Sequence, residues 1–405
     1  MSALLRELLR LIATAGTWVC RRIREAFDKT SSRPPGKAKP SFILALPPEI
    51  LLLINKDLPP HSRILFSQSC SALQVLLGDK GAGARLNYKD HIEYLTALAY
   101  DLPTKWVCEE CVRLHEFAMS DTPQKPQNTS CPLGWRRLHE GTPFLGLHAV
   151  APHHRHVQMA LKAQRLGTVS SQLRRHVNAI MAPSVRPFKV QCSSGGPNAL
   201  AAHCVTIPRI LDGRFVVLTI WVYRRREHPI TLSSLGCLLV CHSTCTWWDA
   251  ICHGRQDIRA YPGSEPFFVG LRSTREAAMM TSDGIASGFC SRCSTDYSVA
   301  LSPSVTGILS WTDLGPEGSC MRRAWRDFLP TVCRRYSCRV HDPRYGGHGH
   351  GGGGARRRPA HAPGSIRRRF DADVLYDLDS TRGVGRLAVR DRDGWVVKVP
   401  LTGSR

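Results

Sequence analysis

The chain has 405 residues, 42% of them apolar, enough to bury a sizeable core and to form roughly two to four domains. Lys and Arg number 55 against 32 Asp and Glu, a net charge of +23. The excess is uneven. Residues 1–40 hold nine Lys/Arg against Glu7, Glu25 and Asp28, and residues 344–369 hold seven Arg and no acid. More than half of the net charge therefore lies in two flanks, which suits arms touching acidic partners better than a nucleic-acid-binding core. No apolar run reaches the ~18 residues of a membrane span. The run from Leu11 to Cys20 lacks a secretory cleavage signal, so the 16 cysteines are expected in a reducing compartment, cytoplasmic or nuclear. There, CxxC pairs bind metal more often than they oxidise.

In chain order, Leu4, Leu8, Leu11, Ala15, Val19, Ile23 and Phe27 recur at helical spacing, a basic leader helix with some likeness to a mitochondrial-type leader. Residues 30–41, TSSRPPGKAKPS, form a linker that closes a segment of 1–40. Two Pro-Pro pairs then frame short helices over about 47–78: Pro47-Pro48 suits a first helical turn, and Pro59-Pro60 stops one helix and starts the next. Three helices this short cannot bury Leu46, Ile50, Leu51, Leu53, Ile54, Leu58, Ile64, Leu65 and Leu77 among themselves. The excess must meet the rest of the chain or a partner. Ile92, Leu95, Ala99 and Leu102 mark a further helix ending at Pro103, and 156–166 and 170–181 also read as helices. Strands come later: VTIPRI, the strict alternation of Val216, Leu218, Ile220 and Val222, and a hairpin in LAVRDRDGWVVKV around Asp393-Gly394. The Gly/His/Arg tract over 341–365 cannot bury a core.

The stretch LPPEILLLINKDLPPHSRILFSQSCSALQVLL resembles an F-box. Its marks are Leu-Pro-x-Glu-Ile, an apolar helix, Leu58-Pro59, a second helix and a Ser-Cys-x-x-Leu third. Together with YLTALAYDLPTKWVCEECVRLHEF, HVQMALKAQRLG, CSRCSTDYSVAL, WTDLGPEGSC and GSIRRRFD, the chain resembles uncharacterised fungal F-box proteins over most of 44–375. The resemblance implies that Leu46, Pro47, Ile50, Ile54, Leu58 and Leu65 face a Skp-type adaptor, through an apolar interface of over ~1,200 Å². Together with the pattern of elements, this gives the expectation of an α+β chain: a three-helix F-box over 41–80, a mixed, zinc-braced recognition region over 81–340, a disordered Gly/Arg insert, and a hairpin segment over 366–405.

Cys108-x2-Cys111-x3-His115 with Cys131 is the strongest chemical signal, because a CxxC turn brings two thiolates onto one ion and His115 and Cys131 complete a tetrahedron. The second candidate is Cys290-x2-Cys293, completed by Cys241 and His242 on analogy with the family, with Cys245 or His253 as substitutes. Zinc, closed by four ligands, would brace the fold and not catalyse. Cys20, Cys70, Cys192, Cys204, Cys237, Cys252 and Cys320 read as small core residues. Cys333 and Cys338 form a weaker pair, and His348 and His350 read as solvated linker. Trp247-Trp248, Trp311 and Trp325 read as core aromatics before groove residues.

No H-E-x-x-H, G-x-S-x-G, P-loop or Rossmann fingerprint occurs. The expectation is a non-catalytic substrate receptor that joins a target protein, through the adaptor, to a cullin scaffold. The alternative is a zinc-containing, basic nucleic-acid-binding or scaffold protein, with Arg356–Arg358 and Arg367–Arg369 on phosphates.

Overall fold

The computed structural model describes residues 42–78, 86–132, 152–167, 169–190, 200–224, 239–241, 244–245, 274–290, 293–301, 305–322, 325, 361–371, 374–377, 386–391 and 396–400. The leader helix, most of the Gly/His/Arg insert, Trp247-Trp248, His242, His253, Cys333 and Cys338 lie outside these residues. The chain divides into two compact units, 1–80 and 81–405.

In the first unit a 3-10 turn, Phe42–Ala45, leads into α1 (Pro48–Asp57), α2 (Pro60–Gln68) and α3 (Ser71–Leu77). Pro48 and Pro60 each open a helix, where a missing N–H costs nothing. Arg63 Nε donates to Leu58 O at 2.8 Å, and its Nη2 donates to Lys56 O at 2.6 Å, so α2 holds carbonyls at the end of α1. Gly78, with φ of 58°, closes α3 by donating its N–H to Gln74 O at 3.2 Å. The core of this unit is small: Leu51, Ile64 and Leu73 are buried, one from each helix. Leu44, Ile50, Leu52, Leu53 and Val75 stay exposed.

The second unit is mixed, with helices around a six-stranded antiparallel sheet in the order β3-β4-β5-β10-β9-β8. The strands are β3 (Ser184–Val190), β4 (Leu200–Leu211), β5 (Arg214–Arg224), β8 (Ile285–Phe289), β9 (Thr295–Leu301) and β10 (Val305–Pro316). β5 is central, and its alternation sorts side chains to opposite faces. Val216, Leu218, Ile220 and Val222 pack with Trp311, Ile366 and Phe370, under the short α7 (Ser365–Asp371). Phe215 and Val217 pack on the other face with Leu161, Leu173 and Ile180. These come from α5 (His154–Leu166) and α6 (Ser171–Met181). Pro208 is tolerated in β4 because β3 pairs only as far as Thr206.

α4 (Tyr88–Tyr100) begins at Asn87, whose side chain accepts from Asp90 N at 2.9 Å. A hairpin follows it, β1 (Lys105–Cys108) with β2 (Arg113–Glu116). A second hairpin pairs β6 (Leu239–Cys241) with β7 (Thr244–Cys245). Near the end, β11 (Val374–Asp377), β12 (Arg386–Asp391) and β13 (Val396–Pro400) form a three-stranded antiparallel sheet. β12 and β13, paired from Arg386 opposite Pro400 to Arg390 opposite Val396, are the two strands of the anticipated hairpin. The sequence patterns name neither β11 nor α7.

α5 departs from an amphipathic surface helix: Arg155 through Ala163 are all buried. Its charged groups are therefore paired inside. Asp121 accepts from Arg155 Nε at 2.5 Å and from His156 Nε2 at 2.9 Å. Lys162 Nζ donates to Ala99 O at 2.6 Å, Leu102 O at 3.1 Å and Lys105 O at 2.8 Å. The ammonium thus caps α4 and fixes the turn into β1.

Candidate metal centres

β1 ends at Cys108 and β2 resumes at Arg113. The knuckle between them turns through Val112, whose φ of 50° is a left-handed conformation seldom held by a β-branched residue. Such a conformation costs on the order of 1–3 kcal/mol and persists where its surroundings impose it. The turn brings Cys111 back toward Cys108, and His115, paired across the hairpin with Trp106, faces the same point. The Trp106 and His115 rings lie 5.2 Å apart. Cys131 arrives from the following loop, pinned by Ser130: Trp106 Nε1 donates to Ser130 Oγ at 3.2 Å, and that hydroxyl donates to Glu116 O at 2.5 Å.

The four ligand atoms lie within 4.8 Å of one another. Cys131 Sγ is 3.5 Å from Cys108 Sγ and 3.7 Å from Cys111 Sγ, and Cys111 Sγ is 2.8 Å from His115 Nε2. Thiolates on a tetrahedral zinc, each about 2.3 Å from the metal, stand about 3.8 Å apart, so the sulfur spacings fit such a centre. The cysteines are free of disulfides. Burial pushes the Cys108 and Cys111 thiols up, with the neighbouring thiols adding to the rise, while burial and Arg113 hold His115 below its ordinary value. A divalent cation removes the thiol penalty by compensating three like charges. The four residues chosen from spacing are thus brought together.

The second group lies where two hairpins meet. Cys290 follows β8 and Cys293 precedes β9, in a turn closed by Cys290 N donating to Thr295 O at 2.8 Å and Thr295 N donating to Cys293 O at 2.9 Å. Cys241 ends β6, held by Ser310 Oγ donating to Val240 O at 3.0 Å. All three thiols are buried and lie within 4.8 Å of one another. The neighbouring thiols Cys241 and Cys290, together with burial, push Cys293 far up. His242, the fourth residue expected from the family analogy, lies outside the described residues. Cys245 stands opposite Leu239 in β7.

Of the residues expected to face a partner, Ile50 is 41% exposed and Pro47 is exposed, while Leu46, Ile54, Leu58 and Leu65 are half-buried. Trp311 is fully buried in the core. Cys204 and Cys320 are buried and Cys70 is half-buried. Arg367 and Arg369 are half-buried and paired with groups of the fold. Arg367 donates to Asp371 Oδ2 at 3.0 Å and lies over the Trp311 ring; Arg369 sits 3.4 Å from Asp212 and 3.7 Å from Asp313. Only Arg368 of that triplet is exposed, which weakens its use as a phosphate-binding arm.

Two buried polar centres escaped the sequence patterns. Burial opposes ionisation of Asp121, but hydrogen bonds from His156 and Arg155, together with the charge of the Arg155 guanidinium, outweigh it and hold the carboxyl below its ordinary value. His156 is pushed down to about 4 by burial and donates from Nε2 as a neutral imidazole, its Nδ1 accepting from His153 N. Asp296 accepts from His361 Nε2 at 2.8 Å and from the N–H groups of Gly364, Ile366 and Arg367, which anchors α7 to β9. Partners 34 and 65 residues apart leave no local signature.

Comparison with family models, curated proteins and solved structures finds no match in any of the three. Among the described residues no helix is long and apolar enough to cross a membrane.

Proposed function

We propose that the chain is the substrate-receptor subunit of a Skp–cullin–F-box ubiquitin ligase, acting in the cytoplasm or nucleus. The observation that carries this reading is the first unit. Three short helices, two of them opened by Pro, close on Leu51, Ile64 and Leu73 and leave Ile50, Leu52 and Leu53 exposed, in a stretch whose sequence resembles an F-box. An apolar surface of this kind on so small a module suits a helical partner, and the partner proposed is a Skp-type adaptor. The second unit would then present a target, with structural zinc on Cys108, Cys111, His115 and Cys131 and a second ion on Cys241, Cys290 and Cys293. Its chemistry is proximity: a substrate lysine held near a ubiquitin-charged enzyme gains effective concentration.

Co-purification of the full chain with a Skp-type adaptor tests the reading, wild type beside Ile50→Asp. A carboxylate in an apolar interface costs several kcal/mol, so the variant is expected to lose the adaptor while keeping its helical content. Retention by both proteins, or by neither, refutes it. In that event the zinc-supported scaffold or nucleic-acid reading takes its place, through the basic flanks.

A further inference from the structure

The two sulfur clusters differ in what reaches their surface. Cys241, Cys290 and Cys293 are all buried, the most open of them 5% exposed. In the first centre Cys108 and Cys131 are 1% and 0% exposed, but Cys111 and His115 are only half-buried. The hairpin accounts for the difference. Cys108 ends β1 in a buried run with Trp106 and Val107, whereas Cys111 lies in the knuckle, two residues before the exposed Arg113. Cys111 is thus the outermost of three neighbouring thiols. Cys131 Sγ lies 3.7 Å from it and 3.5 Å from Cys108 Sγ.

A thiol is readily and reversibly oxidised when three conditions meet: thiolate character, access from solvent, and a second thiol close enough to close a disulfide. Zinc supplies the first, since a coordinated thiol is deprotonated outright. The half-buried position of Cys111 supplies the second, and Cys131 the third. The Cys241, Cys290 and Cys293 group meets the first and third conditions but lacks the second.

We propose that Cys111 is a site of reversible oxidation by peroxide, with Cys131 as its resolving thiol, which makes the first centre a zinc-releasing switch. The inference goes beyond the ligase reading and rests only on zinc at Cys108, Cys111, His115 and Cys131. The Cys111 thiolate attacks one oxygen of hydrogen peroxide, the O–O bond breaks, and hydroxide leaves behind a sulfenic acid. The Cys131 thiolate attacks that sulfur, forms the S–S bond and expels a second hydroxide. Two thiolates each give up one electron, and the peroxide takes both. Cys108 and His115 then remain, two ligands short of a closed tetrahedron, and zinc leaves. The left-handed turn at Val112 loses the ion that imposes it, so the knuckle relaxes. A dithiol reductant cleaves the disulfide, and zinc rebinds.

The test uses zinc-loaded full-length protein treated with hydrogen peroxide. Zinc release is read with a chromogenic chelator, and oxidised cysteines are mapped by alkylation and peptide mass spectrometry. One of the two zinc ions is expected to leave, in step with a disulfide joining the Cys111 and Cys131 peptides, while Cys290 and Cys293 stay reduced. Dithiothreitol with added zinc should restore the starting state. Cys111→His keeps a four-ligand site without the half-buried thiol, so zinc should stay and its release slow about tenfold or more. Equal loss from both centres, a disulfide that omits Cys111 or Cys131, or unchanged release in Cys111→His overturns the proposal. If Cys111→His fails to hold zinc, the peptide map of the wild type decides alone. A zinc-loaded first centre inert to peroxide removes only the switch, whereas a first centre purified without zinc removes the metal reading and the switch together. Adaptor co-purification reads the first unit separately.

Discussion

Replacing Lys162 with Met keeps the volume of the side chain in α5 but removes the ammonium that three backbone carbonyls share. Those carbonyls belong to Ala99, Leu102 and Lys105, which link α4 to β1 just ahead of Cys108. Each hydrogen bond to a charged group is worth about 1.5–3 kcal/mol. Against this stands the cost of burying the charge, which lowers the Lys162 pKa from 10.5 to about 8. A drop of that size amounts to roughly 3 kcal/mol at about 1.36 kcal/mol per pH unit. The balance leaves a net loss of about 2–4 kcal/mol for Lys162→Met at pH 7, because the carbonyls stay buried without a donor.

The pH dependence has a definite sign. Between the folded value of about 8 and the unfolded value of 10.5, the unfolded chain binds more protons, so the stability of the wild type rises with pH. The gain over pH 7–9.5 is about 2 kcal/mol. Buried thiols such as Cys204, pushed up to about 12, act in the opposite direction above pH 9, and both proteins share them. The difference between wild type and variant isolates Lys162. The assay is urea unfolding followed by tryptophan emission at several pH values. A difference that stays flat or shrinks from pH 7 to 9.5 refutes the burial-depressed titration of Lys162, and a variant of wild-type stability at pH 7 refutes the pairing of its ammonium with these carbonyls.

Purified wild type is expected to carry two zinc ions per chain by mass spectrometry of the metal, and Cys131→Ser or Cys290→Ser one; wild type without zinc would remove the metal reading of both groups. Asp121→Asn keeps the shape of a 1%-exposed side chain but leaves Arg155 buried without its charge partner, and a cost of about 3–5 kcal/mol is expected in the same unfolding assay. The effect should fade as pH falls and the depressed carboxyl of the wild type protonates, since stability from a lowered acid is lost in that direction.

How far these features were legible depends on the sequence distance over which each is defined. α5 and α6 follow from 3.6-residue periodicity, and β5 follows from alternation, because each pattern is complete within a dozen residues. β10 does not stand out, since it is buried on both faces and interrupted by Gly307 and Gly315. The Cys108 centre is legible because three of its ligands sit on one hairpin, whereas Cys241 and Cys290 belong to different hairpins and converge only through the sheet. Least legible is the polar face of α5. Arg155, His156 and Lys162 look like a solvated stripe, yet all are buried, each meeting a partner at least 34 residues away. That choice has a structural logic. A helix with a solvated stripe packs on one side only. By burying its charges against Asp121 and the end of α4, α5 contacts the sheet and the hairpin bearing Cys108 at once. The residues that look most like surface are thus what ties the candidate metal centre to the sheet.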